Sequence, residues 1–449
     1  MKDFTNGTES KQLFGFAVPM LMGNILQLMY YTTNTWVVGV FLGREALSAI
    51  GSSGMLIWML VAMQIGVGSG FSVLISQYFG AKQDENVRTS IDTLLVSIFF
   101  FGLLVSLIGI GFHKYILHLM NVPENVFPIA SSYLTVLFSG IFFTFGTSGI
   151  NAILRGLGDS RTSLYFLIIS NITNLGLDIL FVKYMGYGIE SIAVATMISQ
   201  ALSMFAAIVY LNKYHPILNI SIRKYDFSKS IFNASLKIGI PSGLRQMSVS
   251  LGMTILISMV NKFGSAASAA YTIVGRIDSY SSLPAINFSM ALSSFVGQNI
   301  GAQKYDRVIN GLKATLMMTC ILSLTMSMLA YFFRQEIMQF FSTDIEVIQY
   351  GSLYLSIVSP FYGVLAAYFA IGSIFRGAGD TFIPLIFNLI ELWGIRLGIS
   401  FVGSLYFGIA GVWWGIPISW SAGLIFVMIY FFVGNWRRKN WVAKTVHKT

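Results

Sequence analysis

The sequence predicts an all-α membrane protein of twelve transmembrane helices arranged as two pseudo-symmetric six-helix lobes, and three observations lead there. Hydrophobic residues make up 55% of the chain and charged residues only 10%, which is too apolar for a soluble core. The apolar runs are about 20 residues long, enough to carry a helix across a bilayer, whereas a membrane barrel would read as short alternating segments. Finally, QYFGAK at 77–82 returns as QNIGAQ at 298–303, and RGLGD at 155–159 as RGAGD at 376–380, both at an offset of 221.

Basic residues punctuate the spans in order. Lys2 and Lys11 precede span one (about 12–42), Arg44 separates it from span two (46–79), and Lys82 and Arg88 lead into span three (91–112). Lys114 then parts it from span four (128–152), Arg155 and Arg161 precede span five (162–184), and Lys183 closes that span ahead of span six (190–212). In the second half Lys262 stands between span seven (236–261) and span eight (266–298). Lys304, Arg307 and Lys313 open span nine (312–333), and Arg334 precedes span ten (350–374). Arg376 leads to span eleven (382–404), and span twelve (408–434) ends in a tail with Arg437, Arg438, Lys439, Lys444 and Lys448. Counted by side, the excess of Lys and Arg puts both termini in the cytoplasm. The net charge of +10 is therefore a topology signal and gives no reason to expect nucleic acid.

Six spans is an even number, so both copies enter the bilayer from the same side as parallel repeats. Such an arrangement suits a transporter that opens alternately around a central cavity. The expected organisation is an N-terminal lobe over 1–212, a cytoplasmic linker over 213–235 with Arg223, Lys224, Asp226 and Lys229, and a C-terminal lobe with a basic tail over 236–449. The same register pairs Gly43 with Gly264 and Tyr133 with Tyr354.

Several function classes find no support. The single Cys320 excludes a disulfide framework, four scattered His residues give no metal spacing, and no GxxxxGK[ST] loop suggests ATP hydrolysis. The first apolar run is a full span without a cleavage pattern. No acid, base or metal constellation marks an enzyme, and no cofactor is expected.

Asp178 is the residue that asks for a function. It stands inside span five with no basic residue beside it, and a carboxylate at such depth costs roughly 2.5–3.5 kcal/mol on insertion scales. Asn171, Asn174 and Asp178 fall at i, i+3 and i+7 and share one helical face. At 1.5 Å per residue Asp178 and Asn34 lie at matching depths, roughly 10 and 13 Å from the outer ends of their spans. The second half instead carries Arg245, Arg276, Asp278, Glu391 and Arg396 within spans. Arg245 and Asp278, at similar depth on consecutive helices, are expected to form an ion pair. Glu391 and Arg396, five apart on one helix, do not share a face and are each expected to find another partner.

Six of the nine prolines fall inside or near the ends of spans, where each removes a backbone hydrogen bond. Pro19 is the expected point of helix bending, because its helix also carries the polar run Tyr30 to Asn34.

The paired RGxGD and QxxGA loops, the pattern NTWVVGVFLGREALSAIG that closes the first span and the GVWW near the end together resemble the MATE (multidrug and toxic compound extrusion) family, through essentially the whole chain. The resemblance is closer to the DinF-like branch than to the NorM-like one. The acidic residues typical of NorM-like members on spans seven and ten are missing from PSGLRQMSVSLG and YGVLAAYFAIGSIFRG. The resemblance implies a V-shaped bundle of two six-helix lobes, exporting amphipathic, often cationic compounds in exchange for H⁺ or Na⁺. The inner membrane is the expected location, and a monomer is expected because each chain already contains both lobes. It places the cation site at Asn34, Tyr133, Asn174, Asp178 and Thr196, with Asn34 standing where span one usually carries Asp. Glu391, Asp278, Arg396, Gln246 and Met247 are candidates for a substrate or second cation site, with Gln64, Tyr271 and Asn287 as further cavity-lining candidates. The loops at 80–88 and 155–159 read as helix caps. The competing expectation is a flippase for lipid-linked sugars, whose cavity would carry a basic ring, but only three arginines lie within the spans.

Overall fold

The computed structural model describes residues 1–214, 225–439 and 441–442, and contains no strand among them. Arg223 and Lys224 of the linker, and Lys444 and Lys448 of the tail, lie outside the described residues. The first half consists of α1 (Glu9–Val37), α2 (Gly43–Gly80), α3 (Asp84–Leu119), the consecutive α4 (Phe127–Ser139) and α5 (Ile141–Gly156), α6 (Ser160–Ile179) and α7 (Glu190–Tyr214). The second half consists of α8 (Lys229–Asn261), α9 (Ser265–Gly301), α10 (Tyr305–Phe332), the short α11 (Arg334–Phe341), α12 (Ile345–Val358), α13 (Tyr362–Ala378), α14 (Phe382–Leu389), α15 (Leu397–Phe407) and α16 (Ile409–Val433).

Among the described residues, ten helical segments are long and apolar enough to cross a membrane, or eleven if α4 and α5, bent by 51°, count as one span. At 37 residues α9 matches them in length. It is rich in serine and carries Arg276 and Asp278, and falls short on apolarity alone. With α9 the helices fill all twelve predicted positions.

The duplication is written into the backbone. Gly43 and Gly264 both take positive φ where the first helix of each half turns into the second, and Gly158 (φ 74°) and Gly379 (φ 76°) do so in the two RGxGD loops. Lys82 and Gln303, at φ 58° and 59°, occupy the same register in the two QxxGA loops, although a side chain rarely adopts that conformation. In the first of those loops the amides of Ala81 and Gln83 reach back to the carbonyls of Gln77 and Tyr78. In the second, the amides of Ala302 and Lys304 reach the carbonyls of Gln298 and Asn299. These are helix C-terminal closures, which satisfy carbonyls that would otherwise lose their partners. At the next helix start the carboxylate of Asp159 accepts from the backbone N–H of Thr162 at 3.1 Å, an N-cap.

Two compact units emerge from the packing, the first comprising Met1–Lys2 and Val18–Gly239, the second Asp3–Ala17 and the chain from Ile240 on. Both divisions fall just ahead of a proline inside a helix, Pro19 in α1 and Pro241 in α8. Within the second unit the amino-terminal segment is held by many bonds. The Phe4 N–H donates to Gln298 Oε1 at 2.9 Å, Lys304 Nζ donates to the Thr5 carbonyl at 2.8 Å, and Arg307 pairs with Glu9 at 3.1 Å. The Phe4 ring packs against Phe16 and Phe295.

Candidate cation site in the first unit

Four helices, α1, α4, α6 and α7, bring the site together. α6 carries Asn174 and Asp178, both 1% exposed. Two residues after Asp178 the chain leaves the α-helix for a π-helical stretch, Leu180–Tyr184, and α1 does the same four residues after Asn34, in Val38–Leu42. The two π stretches pack on each other. A π turn widens the helix and frees carbonyls from the regular ladder, and such turns often mark functional positions.

The amide of Asn174, oriented so that both of its ends are satisfied, donates to Asp178 Oδ2 at 2.8 Å and accepts from the Thr196 N–H of α7 at 3.1 Å. Tyr30 OH lies 3.3 Å from Thr196 Oγ1, and Asn34 Nδ2 donates to Tyr30 OH at 3.4 Å. Tyr133 of α4 is buried within electrostatic reach of Tyr30 and Asp178. Two buried oxygens of this cluster, Asp178 Oδ1 and Asn34 Oδ1, receive no hydrogen bond from the protein. Among the described residues the ion pairs are Met1–Asp159, Arg307–Glu9, Arg396–Glu391 and Lys439–Asp380, so no basic group neutralises Asp178.

Asn34, Thr196, Asn174 and Asp178 are thus joined through Tyr30 in one chain of hydrogen bonds, with Tyr133 nearby. Tyr30 joins them and was missed in the sequence, although its spacing of four from Asn34 on a single helix was a usable signal. Asn171, on the same face of α6, bonds instead to the Leu26 carbonyl of α1 at 3.4 Å and holds helices together. A buried carboxylate oxygen and an amide oxygen, both without donors, can accept a proton or help coordinate a small hard cation.

In the second unit the structure corrects both charge expectations. Asp278 does not pair with Arg245. Its carboxylate accepts from the hydroxyls of Tyr354 and of Tyr362, the latter at 2.5 Å, because α12 and α13 bring two phenols to it from across the unit. Glu391 and Arg396 do share a face and bond to each other, Nη2 to Oε1 at 2.7 Å. The reason is that Ile390–Arg396 is π-helical, and i→i+5 geometry superposes residues five apart. Arg396 Nε also donates to Ser419 Oγ at 2.9 Å, and Asn388 donates to the other oxygen of Glu391 at 3.3 Å.

Of the remaining candidates, Tyr271 lies beside Tyr354, the partner of Asp278, with ring centroids 6.2 Å apart. Gln246 and Met247 are half-buried on α8. Gln64 donates to Thr144 Oγ1 and accepts from Ser148 Oγ, tying α2 to α5. Asn287 is fully buried and donates to the Leu283 carbonyl of its own helix at 2.8 Å. Tyr271 stacks on Trp413 with ring centroids 5.5 Å apart.

Comparison with known proteins agrees with this architecture. The MatE family model matches residues 19–180 and again 241–402. The probable multidrug resistance protein YoeA of Bacillus subtilis (strain 168) is 33% identical over 435 residues, 95% of this chain and 94% of that protein. The probable multidrug resistance protein YpnP of the same organism is 30% identical, covering 97% of each. A solved structure of a multidrug resistance MATE family transporter of the MOP superfamily, in an outward-facing conformation, shares the fold with a TM-score of 0.89 at 22% identity, over 99% of both chains.

Proposed function

Because the chain belongs to the MATE family of multidrug efflux transporters, and is a transporter and not an enzyme, we propose that it is a secondary active antiporter. It exports amphipathic or cationic organic compounds in exchange for H⁺ or Na⁺, by alternating access. The observation that carries the reading is the pair of buried oxygens, Asp178 Oδ1 and Asn34 Oδ1, that no protein donor reaches.

Asp178 takes up the coupling cation from the outer side. Asn34 and Thr196 add neutral oxygens, Asn174 fixes the carboxylate through its amide, and Tyr133 and Tyr30 close the surroundings. Neutralising the carboxylate removes the cost of a bare charge in a water-poor site and lets α1 and α6 repack. α1 carries both Asn34 and Pro19, so Pro19, where the helix lacks one backbone hydrogen bond, is the point at which that repacking bends it. The basic residues of the loops support cytoplasmic termini in the inner membrane. A single chain holding both repeats supports a monomer. With one carboxylate at the site, one positive charge moving down 100 mV supplies about 2.3 kcal/mol, enough for a roughly fiftyfold gradient of a neutral substrate.

The test is dye efflux in everted vesicles under an imposed proton or sodium gradient, each alone. Wild-type efflux is expected to follow one of them. Asp178→Asn is expected to remove that response while the protein remains inserted at wild-type amounts, and a full response in this variant would refute the reading.

A further inference from the structure

The second unit holds two arginines that the proposed antiport does not use. Arg245 of α8 and Arg376, in the last turn of α13, line one narrow cleft together with Tyr368, Pro384 of α14 and Val427 of α16. Neither guanidinium has a hydrogen-bond or ion-pair partner among the described residues, and each lies within repulsive reach of the other. The buried carboxylates Asp380 and Glu391 and the half-buried Asp278 are already committed. Asp278 is held by Tyr354 and Tyr362, and Asp380 by Tyr430 at 2.5 Å and Lys439 at 3.5 Å. Glu391, which lies beside Tyr368, gives one oxygen to Arg396 and the other to Asn388. The segments outside the described residues, 215–224, 440 and 443–449, contain no Asp or Glu that could serve.

Two uncompensated, half-buried cations facing one cleft oppose folding twice, by desolvation and by mutual repulsion. The repeat shows that the fold does not require them both. Arg376 has its counterpart in Arg155 at the offset of 221, but at the corresponding place on α1 the first unit has the uncharged Gly23 and Asn24 instead of a second arginine.

We propose that Arg245 and Arg376 form an anion-binding site that takes a phosphate or carboxylate head group. The planar guanidinium fork matches both groups in a bidentate way, and the Tyr368 hydroxyl provides a neutral donor on the same wall. The cleft itself has room for about one water molecule. The anion therefore docks at its mouth, where both half-buried arginine side chains can be reached. The site is separate from the cation site at Asp178, and its ligand comes either from an anionic lipid or from a soluble phosphate-bearing molecule.

Full-length protein in phosphatidylcholine nanodiscs allows the two sources to be separated. In one arm phosphatidylglycerol is added to the discs, and in the other inorganic pyrophosphate is titrated into phosphatidylcholine discs, with tryptophan fluorescence and the unfolding midpoint as readouts. A response in the first arm identifies a lipid head group and a response in the second a soluble anion. Arg245→Gln combined with Arg376→Gln is expected to weaken the responding arm by about tenfold or more. If that double variant does not fold, Arg245→Gln against Arg245→Lys decides, the lysine keeping part of the affinity that glutamine loses. Equal binding by wild type and Gln variants, or no response of the wild type to either anion, overturns the proposal.

Discussion

The two units use the same helices and the same tight turns, yet they treat buried charge in opposite ways. In the first, the carboxylate of Asp178 is left with one oxygen unsatisfied, and the amide oxygen of Asn34 is in the same condition. In the second, the acids are closed off, Asp278 by two phenols and Glu391 by Arg396 and Asn388. Tyr133 and Tyr354 sharpen the contrast, because they occupy one position of the repeat. Tyr133 stands near the open acid of its unit, whereas Tyr354 donates directly to the closed acid of its own. A charge that the protein itself satisfies needs no visitor. One that the protein leaves unsatisfied has a standing free energy to gain from a small cation, and coupling requires that gain.

The largest effect should come from exchanging the acids one at a time. Asp178→Asn is expected to lose ion-driven efflux altogether, whereas Asp278→Asn should keep most of it. If both lose it equally in everted vesicles, the contrast between open and closed acids is gone. Next in size is Asn34→Asp, which returns a second carboxylate to the first unit. If two charges then move per cycle, the sustainable gradient of a neutral substrate rises toward the square of the wild-type value, about two thousandfold at 100 mV. A substrate gradient that depends on imposed potential as in wild type would show that the second acid carries no ion.

Stability measurements probe the closed side. Glu391→Gln leaves Arg396 buried without its counter-charge and should cost about 3–5 kcal/mol in thermal unfolding, while Glu391→Leu with Arg396→Met should recover most of that loss. Failure of the double variant to recover would mean that the pair does more than satisfy itself. Tyr354→Phe is the mildest of the set. It removes one of two donors to Asp278 and should cost about 1–3 kcal/mol, with ion-driven efflux retained.

Much of this could be read from the chain without coordinates. The length of the apolar runs gives membrane helices, the offset of 221 gives two halves, and an acid deep in its span, with Lys183 at the span's end as the nearest basic residue, gives Asp178. The face shared by Asn174 and Asp178 follows from helical spacing, and their burial agrees with it. Tyr30 was visible in principle, four residues from Asn34, but a tyrosine in an aromatic-rich chain carries little signal alone. The pairing of Glu391 with Arg396 was hidden for a definite reason. Spacing arguments assume 3.6 residues per turn, and a π-helical stretch brings positions five apart onto one face.

The sequence by itself determined the medium the protein lives in, the duplication and the isolation of one acid, because these follow from composition and from periodicity along a single helix. Tertiary structure alone decided which polar groups meet. Phenols from α12 and α13 reach an acid on α9, and residues of α1, α6 and α7 gather around Asp178. Such meetings join positions far apart in the chain, and the energy of a buried polar group depends on whether a partner arrives within hydrogen-bonding distance, which no local pattern records.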